Sequence, residues 1–371
     1  MQYKKQDMLE MISEESVKLE ILKLVNPVTG TQFGEYGERV TVEIGESEIN
    51  VGITVGYPVK TMLPDLNKTI EKGLAALKID RQTQVSCETK IVAHAAQSGV
   101  KLLPNVRNVI AIASGKGGVG KSTTTANLAI ALADEGARVG ILDADIYGPS
   151  QQMMLGMEGR PESPDGKRIS PMVRHGVQAM SIGALVDVDQ PMVWRGPMVT
   201  QALEQLLRDT DWSDLDYLLI DLPPGTGDIQ LTLSQKVPLT GALIVTTPQD
   251  IALIDARKAL KMFEKVNVPI LGVVENMSVH VCSKCGHAEH IFGEGGGAKM
   301  ATDYDIEVLG SLPLDMSIRQ GLDEGRPSVV ADPDNTIGKI YSSVARKISM
   351  NIAKRKRDYS QSFPNISVQN N

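Results

Sequence analysis

Between Ser114 and Gly136 the chain reads SGKGGVGKSTTTANLAIALADEG, and Gly115, Gly120, Lys121 and Ser122 stand at the spacing G-x-x-x-x-G-K-[S/T]. That spacing suits phosphate binding. Successive backbone N–H groups point at one anion only where the chain curls tightly, and Gly115, Gly117, Gly118 and Gly120 can take up positive φ without steric cost. A helix starting after the loop presents its positive end to the same anion. Lys121 is expected to reach the β- and γ-phosphates and the Ser122 hydroxyl to bind Mg²⁺, with Val119 and Thr123 completing the nucleotide-binding stretch. The apolar run Val109–Ala113 before the loop and Gly136 as the helix stop supply the context this motif needs. Lys116 is an extra lysine that the general pattern does not require.

Carboxylates follow at later strand ends. Asp143 and Asp145 sit in ILDADIYGPS and Asp221 in YLLIDLPPGTGD. An acid at a strand end beside a phosphate loop can hold Mg²⁺ or orient an attacking water. A single aspartate is as readily a turn or a helix cap, but three at the ends of such strands point to a site. Asp143 reads as a loop organiser near the metal. Gly225 and Gly227 would let PPGTG move with the state of the γ-phosphate. The chain has no N-K-x-D motif for guanine; Asn276, in PILGVVENMS, either reads an adenine edge or stands in a turn.

Cys282 and Cys285 lie in HVCSKCGHAEHIFGEGGG. A C-x-x-C turn lets two thiolates face one metal, yet zinc and iron–sulfur clusters usually want four protein ligands. His287 and His290 could complete a Cys₂His₂ zinc site within one chain. Alternatively, two chains could supply four thiolates across a dimer axis and hold a [4Fe–4S] cluster. A thioredoxin-like redox pair would open a helix, and Gly286 with its flanking histidines argues for a loop instead. Cys87, in the strand-like QVSCETK, reads as packing.

The elements that must position these residues form two patterns. Residues 1–94 contain an amphipathic stretch (Met8, Met11, Ile12, Leu19, Leu22), a hairpin from Arg39–Ile44 and Ile49–Val55, a helix over Leu63–Leu77 and a further strand over Gln82–Ile91. This is a small α+β unit. Residues 95–107 read as a linker broken by Ser98, Gly99 and Pro104. From 108 to 358, apolar runs (VIAIAS, RVGILDAD, YLLIDLP, ALIVTTP, PILGVVEN, EVLGSLP) alternate with helical stretches. Strands apolar on both faces, separated by helices, predict an α/β fold with a mostly parallel sheet covered on both sides. Ligands then bind outside the carboxyl ends of the strands. Residues 359–371 read as a disordered tail.

With 371 residues, 42% hydrophobic and 22% charged, the chain has material for two domains. A formal charge of −7 offers no global field for nucleic acid. Three cysteines exclude a disulfide framework and suit a reducing compartment. No apolar run reaches the ~18 residues that span a bilayer, and MQYKKQDMLEMISEESVKLE lacks a signal-peptide core. These features predict a cytoplasmic protein without stable membrane association. The methionines of QQMMLGMEG, with Met172 and Met180, read as core filling ahead of a client-binding surface. Ile337, Tyr341, Val344, Ile348 and Ile352 share one helical face before Lys354–Arg357, a pattern for packing on the sheet or, less commonly, for lying on a membrane.

GKGGVGKS resembles the deviant phosphate loop of the dimeric ATPases that include partition proteins, septum-placing proteins and the nitrogenase iron protein. That resemblance implies an ATP-dependent homodimer in which Lys116 reaches the partner's nucleotide in trans. Taken in order, the loop, DADIYGPS, WRGPM (Trp194–Met198), DLPPGTGD, ENMS, C-x-x-C and FGEGGG resemble the Mrp/ApbC family of iron–sulfur cluster carrier ATPases over roughly residues 105–350. The resemblance implies a slow ATPase with Lys116, Lys121 and Asp145 as catalytic residues. Asp221 would be the Mg²⁺-side acid, Asp145 the water-positioning one, and Asn276 the adenine reader. Cys282 and Cys285 of two subunits would bridge a labile [4Fe–4S] cluster, received from a donor and passed to apo-proteins. Arg195 reaches phosphate, a dimer partner or a structural salt bridge. Residues 1–94 resemble the small iron–sulfur-assembly domain often fused ahead of this ATPase, but the loop GYPVK lacks the cysteine some relatives carry, so no cluster is assigned there. Two rival functions remain: an ATP-driven positioning protein, and a regulatory ATPase with a structural zinc loop.

Overall fold

The computed structural model describes residues 13–77, 81–97, 99–185, 196–332 and 334–358. The chain forms two compact units: one runs to Ile91 and includes Ser349–Lys354, the other runs from Val92 to Ile348 and resumes at Arg355.

In the first unit, β1 (Arg39–Ile44) and β2 (Glu48–Val55) pair antiparallel, and β3 (Gln82–Thr89) pairs parallel to β2. Period-two alternation sends Val40, Val42, Ile49, Val51, Ile53 and Val55 to one buried face. The helix Leu63–Ala76 covers it with Leu66, Ile70 and Leu74, spaced one turn apart. Ahead of the sheet, the helix Glu14–Lys23 starts on a reciprocal cap between Ser13 and Ser16. Its buried residues are Val17 and Ile21, while Leu19 is exposed. This corrects the expected face at Leu19, while Leu22 packs partly buried against the core; Met8, Met11 and Ile12 lie outside the described residues. In the GYPVK loop, Tyr57 is fully buried and donates to Glu38 Oε1 at 2.7 Å. Cys87 is partly buried against this core, and burial pushes its thiol up to about 11.

The second unit is built on strands β4 (Val106–Ala113), β5 (Val139–Asp143), β6 (Met172–Arg174), β7 (Val177–Ser181), β8 (Leu215–Asp221), β9 (Gly241–Thr246), β10 (Ile270–Glu275), β11 (His280–Val281), β12 (Ala288–Glu289) and β13 (Val308–Ser311). Eight of them form one sheet in the order β13-β10-β9-β4-β8-β5-β7-β6. Every pairing is parallel except β6 with β7. All residues of β5, β8 and β9 are buried, as strands covered on both faces must be. The six apolar runs of the sequence are β4, β5, β8, β9, β10 and β13; β6, β7, β11 and β12 lie outside them.

Strand order reverses at β4, which lies between β8 and β9, so the carboxyl end of β4 opens on a crevice. Upstream of β4, in the stretch read as linker, Leu103 is buried, as is His94 just before it. Ile337, Tyr341, Val344, Ile348 and Ile352 are all buried, so the apolar face of the helix Thr336–Ala353 is spent on packing, not on a lipid surface. Met157 and Met180 are core residues, whereas Met153 is exposed. Among the described residues no helix is long and apolar enough to cross a membrane.

Candidate functional site

The loop Ser114–Gly120 joins β4 to the helix Lys121–Asp134 at that crevice. Its glycines serve two different needs. Gly118 and Gly120 take φ of 81° and 83°, the left-handed region a side chain resists. Gly115 and Gly117 do not, contrary to expectation. Gly115 is required by close approach, because a Cβ there would lie 2.0 Å from the carbonyl carbon of Asp255 in the helix Asp250–Lys265.

Lys121 is buried among acids. Its Nζ donates to Asp221 Oδ1 at 2.5 Å and to Ser122 Oγ at 3.2 Å, and lies 3.8 Å from Asp145 Oδ2. Asp221, fully buried at the end of β8, also accepts from Thr125 Oγ1 at 3.2 Å and from Gln151 Nε2 at 2.8 Å. Parallel pairing sets Asp143 of β5 directly against Asp221. Burial pushes the Asp143 carboxyl up, and the neighbouring Asp221 charge pushes it further. Backbone N–H groups of Asp145, Ser150 and Gln151 oppose this at 3.2, 2.9 and 3.0 Å. Asp143 therefore ties down the DADIYGPS loop. Asp145 is raised by burial and drawn back by Lys121.

Lys116 is half-buried with Nζ 3.5 Å from Gln249 Oε1, at the cap of the helix Asp250–Lys265. Gly225 takes φ of 103° and its N–H donates to the Ser114 carbonyl at 3.0 Å, binding PPGTG to the start of the phosphate loop. Gly227, at φ −81°, caps the helix Asp228–Lys236. Asn276 is buried at the end of β10, where Nδ2 donates to the Val119 carbonyl at 2.9 Å and Oδ1 accepts from the Met277 N–H. One amide N–H thus holds the loop, and the second is the one this side chain can still offer to a ligand. Asn276, Gly120 and Thr123 line a pocket of about 210 Å³ with Met277, Pro313 and Leu314. Trp194 and Arg195 lie outside the described residues.

The cysteines stand at the tip of the hairpin formed by β11 and β12. Cys282 N–H donates to the His287 carbonyl at 2.9 Å, and Gly286, at φ 73°, donates back to the Cys282 carbonyl at 2.8 Å. The N–H groups of Lys284 and Cys285, and then the Cys285 side chain, hold the Cys282 thiol below its ordinary range. A thiolate is the form that binds metal. His290 is directed elsewhere: its Nδ1–H donates to the Ser278 carbonyl at 2.6 Å. Among the described residues no three His, Cys, Asp or Glu side chains gather as a metal site, so the alternative Cys₂His₂ set with His287 and His290 is not assembled here.

The structure thus brings Lys121, Ser122, Asp143, Asp145 and Asp221 together and joins Cys282 to Cys285. Sequence reasoning passed over Gln151, whose amide contacts this constellation, and Gln249, whose amide meets Lys116. A glutamine following the acid-rich loop after β5 was the available signal for the first.

Residues 105–349 match the family model described as NUBPL iron-transfer P-loop NTPase. The chain is similar to the "Iron-sulfur cluster carrier protein" of Pseudomonas fragi, at 61% identity over 74% of this chain and 94% of that one. To the protein of the same description from Escherichia coli K12 it is 60% identical, over 66% of each chain. Among solved structures it resembles a nucleotide-binding protein from Archaeoglobus fulgidus in complex with ADP, at 39% identity and a TM-score of 0.55, over 62% of this chain and 90% of that one.

Proposed function

The chain belongs to the NUBPL-type family of iron-transfer P-loop NTPases, and from that membership we propose that it is an ATP-dependent carrier of an iron–sulfur cluster. It acts as a homodimer, takes a [4Fe–4S] cluster from a donor, holds it between Cys282 and Cys285 of two copies, and delivers it to apo-proteins. The observation that carries this reading is the C-x-x-C turn, with Cys285 exposed and Cys282 half-buried, in which N–H groups favour the Cys282 thiolate and no third ligand gathers from the same chain among the described residues. Two thiolates are half of what a cubane cluster usually takes, and a second copy supplies the rest.

ATP occupies the loop Gly115–Thr123, with its base toward the pocket beside Asn276. Ser122 and Asp221 would hold Mg²⁺, and the donors suit that hard cation because both are oxygens, with the buried Asp143 carboxylate set beside Asp221. Bound there, Mg²⁺ would neutralise charge on the β- and γ-phosphates. Lys121 exchanges part of its contact with Asp221 for those phosphates. Asp145 orients the attacking water, and Lys116 leaves Gln249 to reach the partner's nucleotide.

A short path supports coupling of the two sites. Asn276 is bonded to the phosphate loop, and two residues later the Ser278 carbonyl accepts from His290 in the cysteine loop. Met277 between them is held at φ 57°, a left-handed conformation that leaves little slack. The test is transfer from the loaded protein to an apo-enzyme whose activity returns with its cluster. Cys282→Ala is expected to hydrolyse ATP and fail in transfer; transfer at the unsubstituted rate would overturn the proposal.

A further inference from the structure

Gln151 opens the short helix Gln151–Met154 and is 1% exposed. It serves both buried acids at once. Its backbone N–H donates to Asp143 Oδ2 at 3.0 Å, while Nε2 donates to Asp221 Oδ2 at 2.8 Å and to the Ser122 carbonyl at 3.0 Å. Lys121 and Thr125 take the other Asp221 oxygen, Oδ1. Both partners of Nε2 are acceptors, so the amide has one workable orientation. That orientation leaves Gln151 Oε1 buried without a hydrogen-bond partner. An amide oxygen shut away unpaired is a net cost to the fold. A packing role alone would be met by leucine or methionine without that penalty.

We propose that Gln151 is a positioning residue for the magnesium side of the nucleotide site: Nε2 fixes Asp221 and ties it to Ser122, and Oε1 accepts from a water bound to Mg²⁺. The inference rests on the nucleotide reading above. It adds a residue from the loop after β5 to the metal's outer shell, where such partners orient the direct ligands.

The experiment titrates Mg²⁺ against a fluorescent ADP analogue bound to the full chain, for the unsubstituted protein, Gln151→Leu and Gln151→Met. Binding of the analogue in EDTA is measured alongside. Loss of an outer-shell partner is expected to weaken the Mg²⁺ response by about 10- to 100-fold, with the metal-free affinity unchanged. Methionine keeps the unbranched shape, so it carries the test if leucine does not fold. A Mg²⁺ response equal to the unsubstituted protein's would overturn the proposal and leave Gln151 as packing. A parallel fall in metal-free and Mg²⁺-dependent binding would also overturn it, since that is loop disorder. Absence of ADP binding by the unsubstituted protein would instead remove the nucleotide reading, and this inference with it.

Discussion

Asn276 Nδ2 donates to the Val119 carbonyl at 2.9 Å, so the end of β10 holds the phosphate-binding loop in place. A Cβ on Gly120 would lie 2.1 Å from that same nitrogen, which shows how closely the amide is seated. Asn276→Ala strands a buried carbonyl, at about 1–3 kcal/mol. Nucleotide affinity is expected to fall about tenfold or more if that cost falls on the binding conformation. Asn276→Asp should do no better, because a carboxylate cannot donate. Titration with a fluorescent nucleotide checks both.

The loop glycines should respond unequally to alanine. Gly115→Ala drives a Cβ to within 2.0 Å of the Asp255 backbone, which cannot swing aside as a side chain can. Overpacking of this kind costs about 1–3 kcal/mol or more, so a clear fall in melting temperature is expected. At Gly117 the nearest atom to an added Cβ is Pro224 Cγ at 3.9 Å and φ is not positive. Gly117→Ala should therefore change stability by about 1 kcal/mol or less. Thermal melts of the two variants compare them directly.

Spacing made the phosphate loop legible, but not that Gly115 faces a helix 140 residues later in the chain, at Asp255. The core strands were legible because strands covered on both faces are apolar throughout. The pair β6 and β7 was missed: β6 has three residues, none of them buried, at the edge of the sheet. On the first helix, Leu19 matched the expected spacing yet Val17 and Ile21 are buried, since over ten residues several faces fit. Asn276 showed a strand-end amide, while its bond to Val119 spans a sequence separation no local pattern encodes. The role of Gln151 is not legible because its neighbours Met153 and Met154 suit packing equally well.

A buried histidine sets a pH dependence of stability. His94 is 3% exposed and its Nδ1–H donates to Asn108 Oδ1 at 3.1 Å. Burial draws its pKa down, the Asn108 bond partly opposes this, and the Arg357 charge adds to the depression. The unfolded chain then binds the proton more readily than the folded one. Stability is at its full value above the ordinary histidine pKa near 6.5 and declines as pH falls toward the depressed value, by at most about 1.4 kcal/mol per pH unit. His94→Gln should flatten that portion of a denaturant-midpoint profile against pH.

The histidines near the cysteine turn should be separable from cluster binding. His287→Ala is expected to leave iron and sulfide content unchanged. His290→Ala removes the bond to the Ser278 carbonyl and should loosen the loop while sparing both thiolates. Cys285→Ala should abolish cluster uptake. Iron and sulfide assays on reconstituted variants check all three.

The most direct test of the carrier account is anaerobic reconstitution with iron, sulfide and zinc measured per chain, together with mass in solution. The account predicts a dimer with about four irons and four sulfides, lost in Cys282→Ala or Cys285→Ala. One zinc per chain with no cluster uptake would contradict it.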